Sequence, residues 1–146
     1  MNYWIIPGRN DVFRVDDYFE TNDVVDWKQS HYLFEVGDIV YIYVSAPISR
    51  IKYMLRVEKT DIPYEDTMVD TEYWARNHPK EKELQHITYV RLKLLGKCDT
   101  PLLSLKTLSE YGVTSLQGAR RNLPKELIAH IQQCFEIFKV HRSGIS

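Results

Sequence analysis

The hydrophobic pattern of this chain switches between alternation and helical spacing, and a turn signal marks most of the switches. Tyr3 to Ile6 is a short apolar run stopped by Pro7-Gly8, which predicts a first strand. Asn10 or Asp11 is placed to cap a helix whose Val12, Val15 and Phe19 recur at helical spacing. Val24 to Trp27 is a second short apolar piece, running into the polar loop Lys28-Gln29-Ser30-His31. The turn Gly37-Asp38 feeds the clearest strand, Ile39 to Ser45, in which Tyr41, Tyr43 and Ser45 share a face. Arg50 to Lys59 sets Lys52, Met54 and Arg56 against Ile51, Tyr53, Leu55 and Val57, and Ile87 to Leu95 gives a further long strand. Residues 61–85 are acidic and poorly periodic; they predict a loop with one helical turn near Trp74. Ser104 caps a short helix, Leu105 to Tyr111, that Gly112 ends. Pro124 opens a last helix with Leu127, Ile131, Cys134 and Phe138 along one face. Strands interrupted by short helices, with a helix at the end, predict an α+β fold.

A chain of 146 residues without repeats or linker-like tracts is one domain. Its 44% hydrophobic and 27% charged residues exclude a disordered segment, a rod and a disulfide scaffold. No apolar run approaches the roughly 20 residues that cross a bilayer. The N-terminus shows no basic stretch or small-residue cleavage site, so a cytoplasmic location is expected, with Cys98 and Cys134 as buried thiols. Ten Tyr, five Phe and three Trp are many for this length, and suit either a β-rich fold or a surface that stacks on flat ligands. Net charge is −1, so no global field attracts nucleic acid. Acidic groups nevertheless concentrate in residues 1–40 and 61–86, and basic ones in 41–60, 87–116 and 117–146. A fold that gathers the basic blocks would have one basic face; scattered solvated charge is the plainer alternative.

Catalytic motifs are missing from the sequence. The only Gly-Lys pair, Gly96-Lys97, has Arg91 where a phosphate loop needs glycine, and no Gly-x-Ser-x-Gly or His-Glu-x-x-His occurs. Two cysteines and scattered histidines offer no zinc spacing. Glu58, Asp61, Glu65 and Asp66 lie close together but read as a solvated acidic loop. No catalytic residue, metal or cofactor is expected, and the chain is read as a non-enzyme. Aromatic, amide and basic groups remain. Trp27 precedes Lys28-Gln29, a flat side chain beside an amide able to read a base edge. Gln117-Gly118-Ala119-Arg120-Arg121-Asn122 presents two guanidinium forks beside a glycine that lets backbone approach closely.

Tyr3-Trp4-Ile5-Ile6, Trp27, and Gly37-Asp38-Ile39-Val40-Tyr41-Ile42-Tyr43-Val44-Ser45, in this order, resemble the EVE domain of the PUA-like superfamily, which also holds YTH and ASCH domains. Leu103-Ser104-Leu105 and Gln117-Gly118-x-Arg120-Arg121-x-Leu123-Pro124 extend the resemblance over nearly the whole chain. It implies a single domain over residues 1–146, a small β-barrel of about five to six strands flanked by short helices and a C-terminal helix. It further implies a pocket for a flipped-out modified base, a methylated or hydroxymethylated cytosine or a methylated adenine, in a nucleic acid, with DNA favoured over RNA. Trp27 matches the pocket-wall tryptophan, Tyr43 and Ser45 the Tyr-x-Ser at the end of the long strand, and Arg120 the arginine before the last helix. Relatives follow the first strand with Lys-Ser; here Arg9, Asn10 or backbone must serve instead. The expected base-binding set is therefore Trp27, Gln29, Tyr43, Ser45 and Asn10, and the expected phosphate-binding set Arg120, Arg121, Lys28 and Arg9. Any effector, such as the nuclease or motor of a modification-dependent restriction system, would be a separate chain. A small-ligand or protein-interaction domain holding a nucleotide-like metabolite in the same pocket stands as the alternative.

Overall fold

The structure is a computed structural model that describes residues 1–68 and 87–138; the helical turn expected near Trp74 lies outside them. Five strands form one mixed sheet: β1 (Tyr3–Gly8), β2 (Val24–Lys28), β3 (Ile39–Val44), β4 (Arg50–Pro63) and β5 (Thr88–Lys97). Their spatial order is β1-β3-β4-β5-β2, so the first two strands of the chain are its two edges. The β1–β3 pair is parallel and the other pairs are antiparallel. The helices are α1 (Val15–Thr21), α2 (Leu105–Glu110) and α3 (Lys125–Ile137).

Side-chain alternation divides the core between the two faces of the sheet. On one face Trp4 and Ile6 of β1, Val40 and Ile42 of β3, Leu55 and Val57 of β4 and Val90 and Leu92 of β5 bury against Val15, Tyr18 and Phe19 of α1. On the other, Ile5, Tyr41, Tyr43 and Ile51 bury against Leu108 of α2 and Leu127, Ile131, Cys134 and Phe135 of α3. The long strand β4 changes register against β5 at Met54/Leu55, Val57/Lys59 and Lys59/Ile62. Such bulges bend a strand and add twist, which coils the sheet around the first cluster. The described strands stop short of a closed barrel, because β1 and β2 approach each other through side chains without pairing.

Two expectations need correction. The helix expected from Asn10 or Asp11 begins at Val15, because residues 9–13 close a turn through Val12 and Phe13 N–H to the Arg9 carbonyl. Asn10 still serves the helix, its Oδ1 accepting from the Asp16 N–H at 3.3 Å. Phe138 was expected inward, but α3 ends at Ile137 and Phe138 is 40% exposed, while Phe135 turns to the core in its place. Leu127, Ile131 and Cys134 are buried as expected, and Cys98 and Cys134 are buried free thiols.

Charge is spent largely inside the chain. Arg50, Lys52, Arg56, Arg91 and Lys93 of the basic blocks pair with Asp99, Asp16, Glu58, Asp26 and Asp23 respectively. Asp16 also accepts from the Tyr53 hydroxyl and from Asn10 Nδ2, which pins α1 to β4. Burial pushes its carboxyl upward, yet these donors outweigh that and hold it below the usual carboxylate range. Much of the positive charge of residues 41–60 and 87–116 is therefore neutralised within the chain.

Candidate nucleic-acid interface

A cleft of about 180 Å³ lies where the two sheet edges approach. Ile6 and Pro7 of β1 form one side, and Trp27 and Lys28 of β2 form the other. Ser30, Tyr32 and Phe34 of the β2–β3 loop and Gly118-Ala119 complete it. The opening follows from a single residue. Along the free edge of β1, Ile5 exchanges both backbone hydrogen bonds with Arg120, at 2.9 and 2.8 Å. Two residues on, the next N–H toward that edge belongs to Pro7, which has none, so the pairing cannot extend. The seam ends there, leaving Gly118-Ala119 over an unzipped edge.

The loop that walls the cleft is held stiffly. Gln29, 5% exposed, accepts from the Asp61 N–H at 2.9 Å through Oε1 and donates from Nε2 to the Tyr32 carbonyl and Asp61 Oδ1, both at 3.3 Å. Ser30 and Asp61 adopt left-handed backbone at φ 56° in each case, so both ends of this clamp are tight turns. Phe34 is buried against Trp4 with ring centroids 4.4 Å apart. The Trp4 indole Nε1 donates to Asp38 Oδ2 at 2.9 Å. Asp38 also accepts from the Asn2 N–H at 2.8 Å and the Glu35 N–H at 3.0 Å. Burial raises the Asp38 carboxyl, but these donors prevail and hold it below its ordinary range.

Gly118 is required by shape. A Cβ at this position would overlap the Tyr32 hydroxyl, and the glycine therefore lets Tyr32 close one wall. Gly118→Ala is expected to displace the Tyr32 ring and weaken binding at the cleft. The melting temperature should change little, because Tyr32 is only partly buried; calorimetry beside a binding titration checks both.

The expected site residues divide in two. Trp27 is half-buried with its ring at the cleft, edge-on to Phe13 at 6.2 Å between centroids, and Lys28 is exposed beside it. Arg121 extends over the Trp4 ring, 5.3 Å from its centroid, behind the wall made by Tyr32 and Phe34. The side chain of Arg120 is exposed and donates weakly to the Gly112 carbonyl at 3.4 Å. The others are placed elsewhere. Tyr43 is buried on the opposite face of the sheet, in the cluster under α3, and cannot share a pocket with Trp27. Ser45 continues past β3 with its N–H on the Gly8 carbonyl at 2.9 Å, away from the lining. Gln29 is consumed by the loop clamp, Asn10 by Asp16, and Arg9 by a 2.7 Å ion pair with Asp11. Sequence reasoning missed Ile6, Pro7, Ser30, Tyr32 and Phe34. The alternation Tyr32-x-Phe34 and the edge-breaking Pro7 were the available signals.

No family model matches the sequence, and no curated protein is similar to it. Solved structures are. A hypothetical protein from Leishmania major superposes with a TM-score of 0.61 at 17% identity, over 93% of this chain and 95% of that one. A mutant of the ASCH protein of Zymomonas mobilis gives 0.59 at 12% identity over 94% and 99%. Human THYN1, in complex with DNA containing 5-methylcytosine, gives 0.59 at 11% identity over 93% and 98%. What this likeness establishes is the fold: the chain is an α+β domain with the architecture of the Zymomonas mobilis ASCH protein and human THYN1.

Proposed function

We propose that this chain is a non-catalytic nucleic-acid-binding module that takes a modified base, extruded from its strand, into the cleft between β1 and β2. The observation that carries the reading is the half-buried Trp27 facing a small cleft with a free cation, Lys28, beside it. At about 180 Å³ the cleft is smaller than the roughly 300–1,000 Å³ of sites for drug-sized ligands, which suits one base better than a whole nucleotide. Stacking on an aromatic wall contributes ~1–3 kcal/mol per base, which offsets the few kcal/mol of extrusion. A methyl or hydroxymethyl group packed on Ile6, Pro7 or Phe34 adds about 0.8 kcal/mol per buried carbon. Among the described residues the lining carries the polar side chains of Trp27, Lys28, Ser30 and Tyr32. THYN1, of the same fold, is known in complex with 5-methylcytosine DNA, which favours modified DNA over RNA as the partner class.

Lys28 and Arg121 make no ion pair among the described residues, unlike Arg50, Lys52, Arg56, Arg91 and Lys93; Lys28 lines the cleft, and Arg121 lies over Trp4 behind its wall. They are the proposed phosphate contacts. Arg121→Ala and Lys28→Ala should each weaken binding to modified and unmodified oligonucleotides alike and lower the slope of log affinity against log salt by about one. A titration series over salt concentration reads this. A flat wild-type dependence would instead favour a nucleotide-like metabolite as the ligand.

A further inference from the structure

The β2–β3 loop does more than wall the cleft. Between Tyr32 and Phe34, which both line it, Leu33 stands 74% exposed, and Val36 on the same loop is 67% exposed. The backbone beneath these side chains is fixed on both sides. Tyr32 exchanges hydrogen bonds with Gln29, Phe34 is buried on Trp4, Glu35 N–H is held by Asp38, and Gly37 N–H donates to the Val57 carbonyl at 2.8 Å. A stiff loop thus presents a large apolar side chain to water, against the general trend of burial.

We propose that Leu33 is a wedge that enters the base stack of a double-stranded nucleic acid and fills the space left by the base held in the cleft. This rests on the reading of the cleft given above and adds that the partner is a duplex. The Leu33 Cα is about 3.8 Å from those of Tyr32 and Phe34, so the wedge and the cleft wall are neighbours in the backbone. A nucleotide displaced at the wedge has the cleft beside it. Extrusion sacrifices the stacking of the departing base, and an apolar side chain in the gap restores contact to the base pairs on either side. Lys28, exposed at the cleft, is placed to meet the phosphate backbone beside the extruded base.

Because Leu33 packs on little, Leu33→Ala leaves the fold intact and isolates this role. The experiment compares wild type and Leu33→Ala on a DNA duplex carrying one 5-methylcytosine and on the same modified strand alone. A 2-aminopurine beside the modified base reports unstacking by its fluorescence. The wedge requires that Leu33→Ala weaken duplex binding about tenfold, dim the 2-aminopurine signal of the duplex complex, and leave single-strand binding unchanged. Equal duplex affinities for the two proteins, or an equal loss on both substrates, would overturn the wedge while the cleft reading stands. Wild-type binding to the single strand alone would do the same. Wild-type protein that binds neither oligonucleotide would overturn the cleft reading and the wedge together.

Discussion

Trp27→Ala is expected to remove most of the affinity for a modified oligonucleotide, by ~1–3 kcal/mol, while the protein remains folded. The ring lies at the end of the edge strand β2, where it packs in part against the first core cluster and edge-on to Phe13 and in part faces the cleft. Truncating a fully buried tryptophan costs about 3–5 kcal/mol of stability. A half-buried ring that faces a cleft should lose clearly less. Urea unfolding beside a binding titration separates the two effects. A stability loss at the upper end of that range, with binding weakened only in proportion to the unfolded fraction, would make Trp27 a core residue.

Asp38 should show the largest effect on stability. Its side chain is fully buried at the turn before β3 and gathers donors from Asn2 just before β1, the Trp4 indole of β1 and the β2–β3 loop. Asp38→Ala leaves the buried Trp4 indole N–H and the part-buried N–H groups of Asn2 and Glu35 without their acceptor, at about 1–3 kcal/mol for the buried one and less for the others, for a total loss on the order of 3 kcal/mol. Asp38→Asn should recover little, since an amide presents its own donors to donors. Either loss is large beside the roughly 5–15 kcal/mol of a whole domain. The charge gives a pH signature. Asp38 and Asp16 are both held below their ordinary range, so their contribution is complete above the unfolded carboxylate value of about 3.9. It is lost as the pH falls below that value and through the lower folded value. Wild-type stability should be flat near neutrality and fall steeply in acid, and the fall should be shallower in Asp38→Asn. Denaturant midpoints measured between neutral and acid pH check the sign and the window.

Local pattern foretold the elements better than it foretold their meeting. Alternation located β1, β3, β4 and β5 to within a few residues, because each has one face buried by a cluster that demands period two. Ser104 caps α2 and Gly112, at φ 92°, follows its end as its position indicated, both being local backbone chemistry. The site was legible only in part. Trp27 and Lys28 stood out because an apolar piece turns polar at that point. Whether Tyr43 faces Trp27 depends on which strands pair and on which side the helices settle, and neither is encoded nearby. Tyr41 and Tyr43 do share a face, but it is the face that α3 covers. Gln29 and Asn10 looked free to read a base because their partners, Asp61 and Asp16, come from distant pairing or from a turn that periodicity does not mark. The basic blocks likewise pair largely within the chain, with Asp23, Asp26, Asp99 and Asp16 brought to them by tertiary contact.

The most direct measurement of the central claim is the affinity of the wild-type protein for oligonucleotides of one sequence with and without 5-methylcytosine, 5-hydroxymethylcytosine or N6-methyladenine, as DNA and as RNA, repeated with Trp27→Ala. The cleft reading predicts that at least one modified DNA binds tighter than its unmodified twin by about fourfold, the worth of one buried carbon, and that Trp27→Ala erases the gap. Equal affinities for every modified and unmodified pair, or a preference that survives the loss of Trp27, would contradict it.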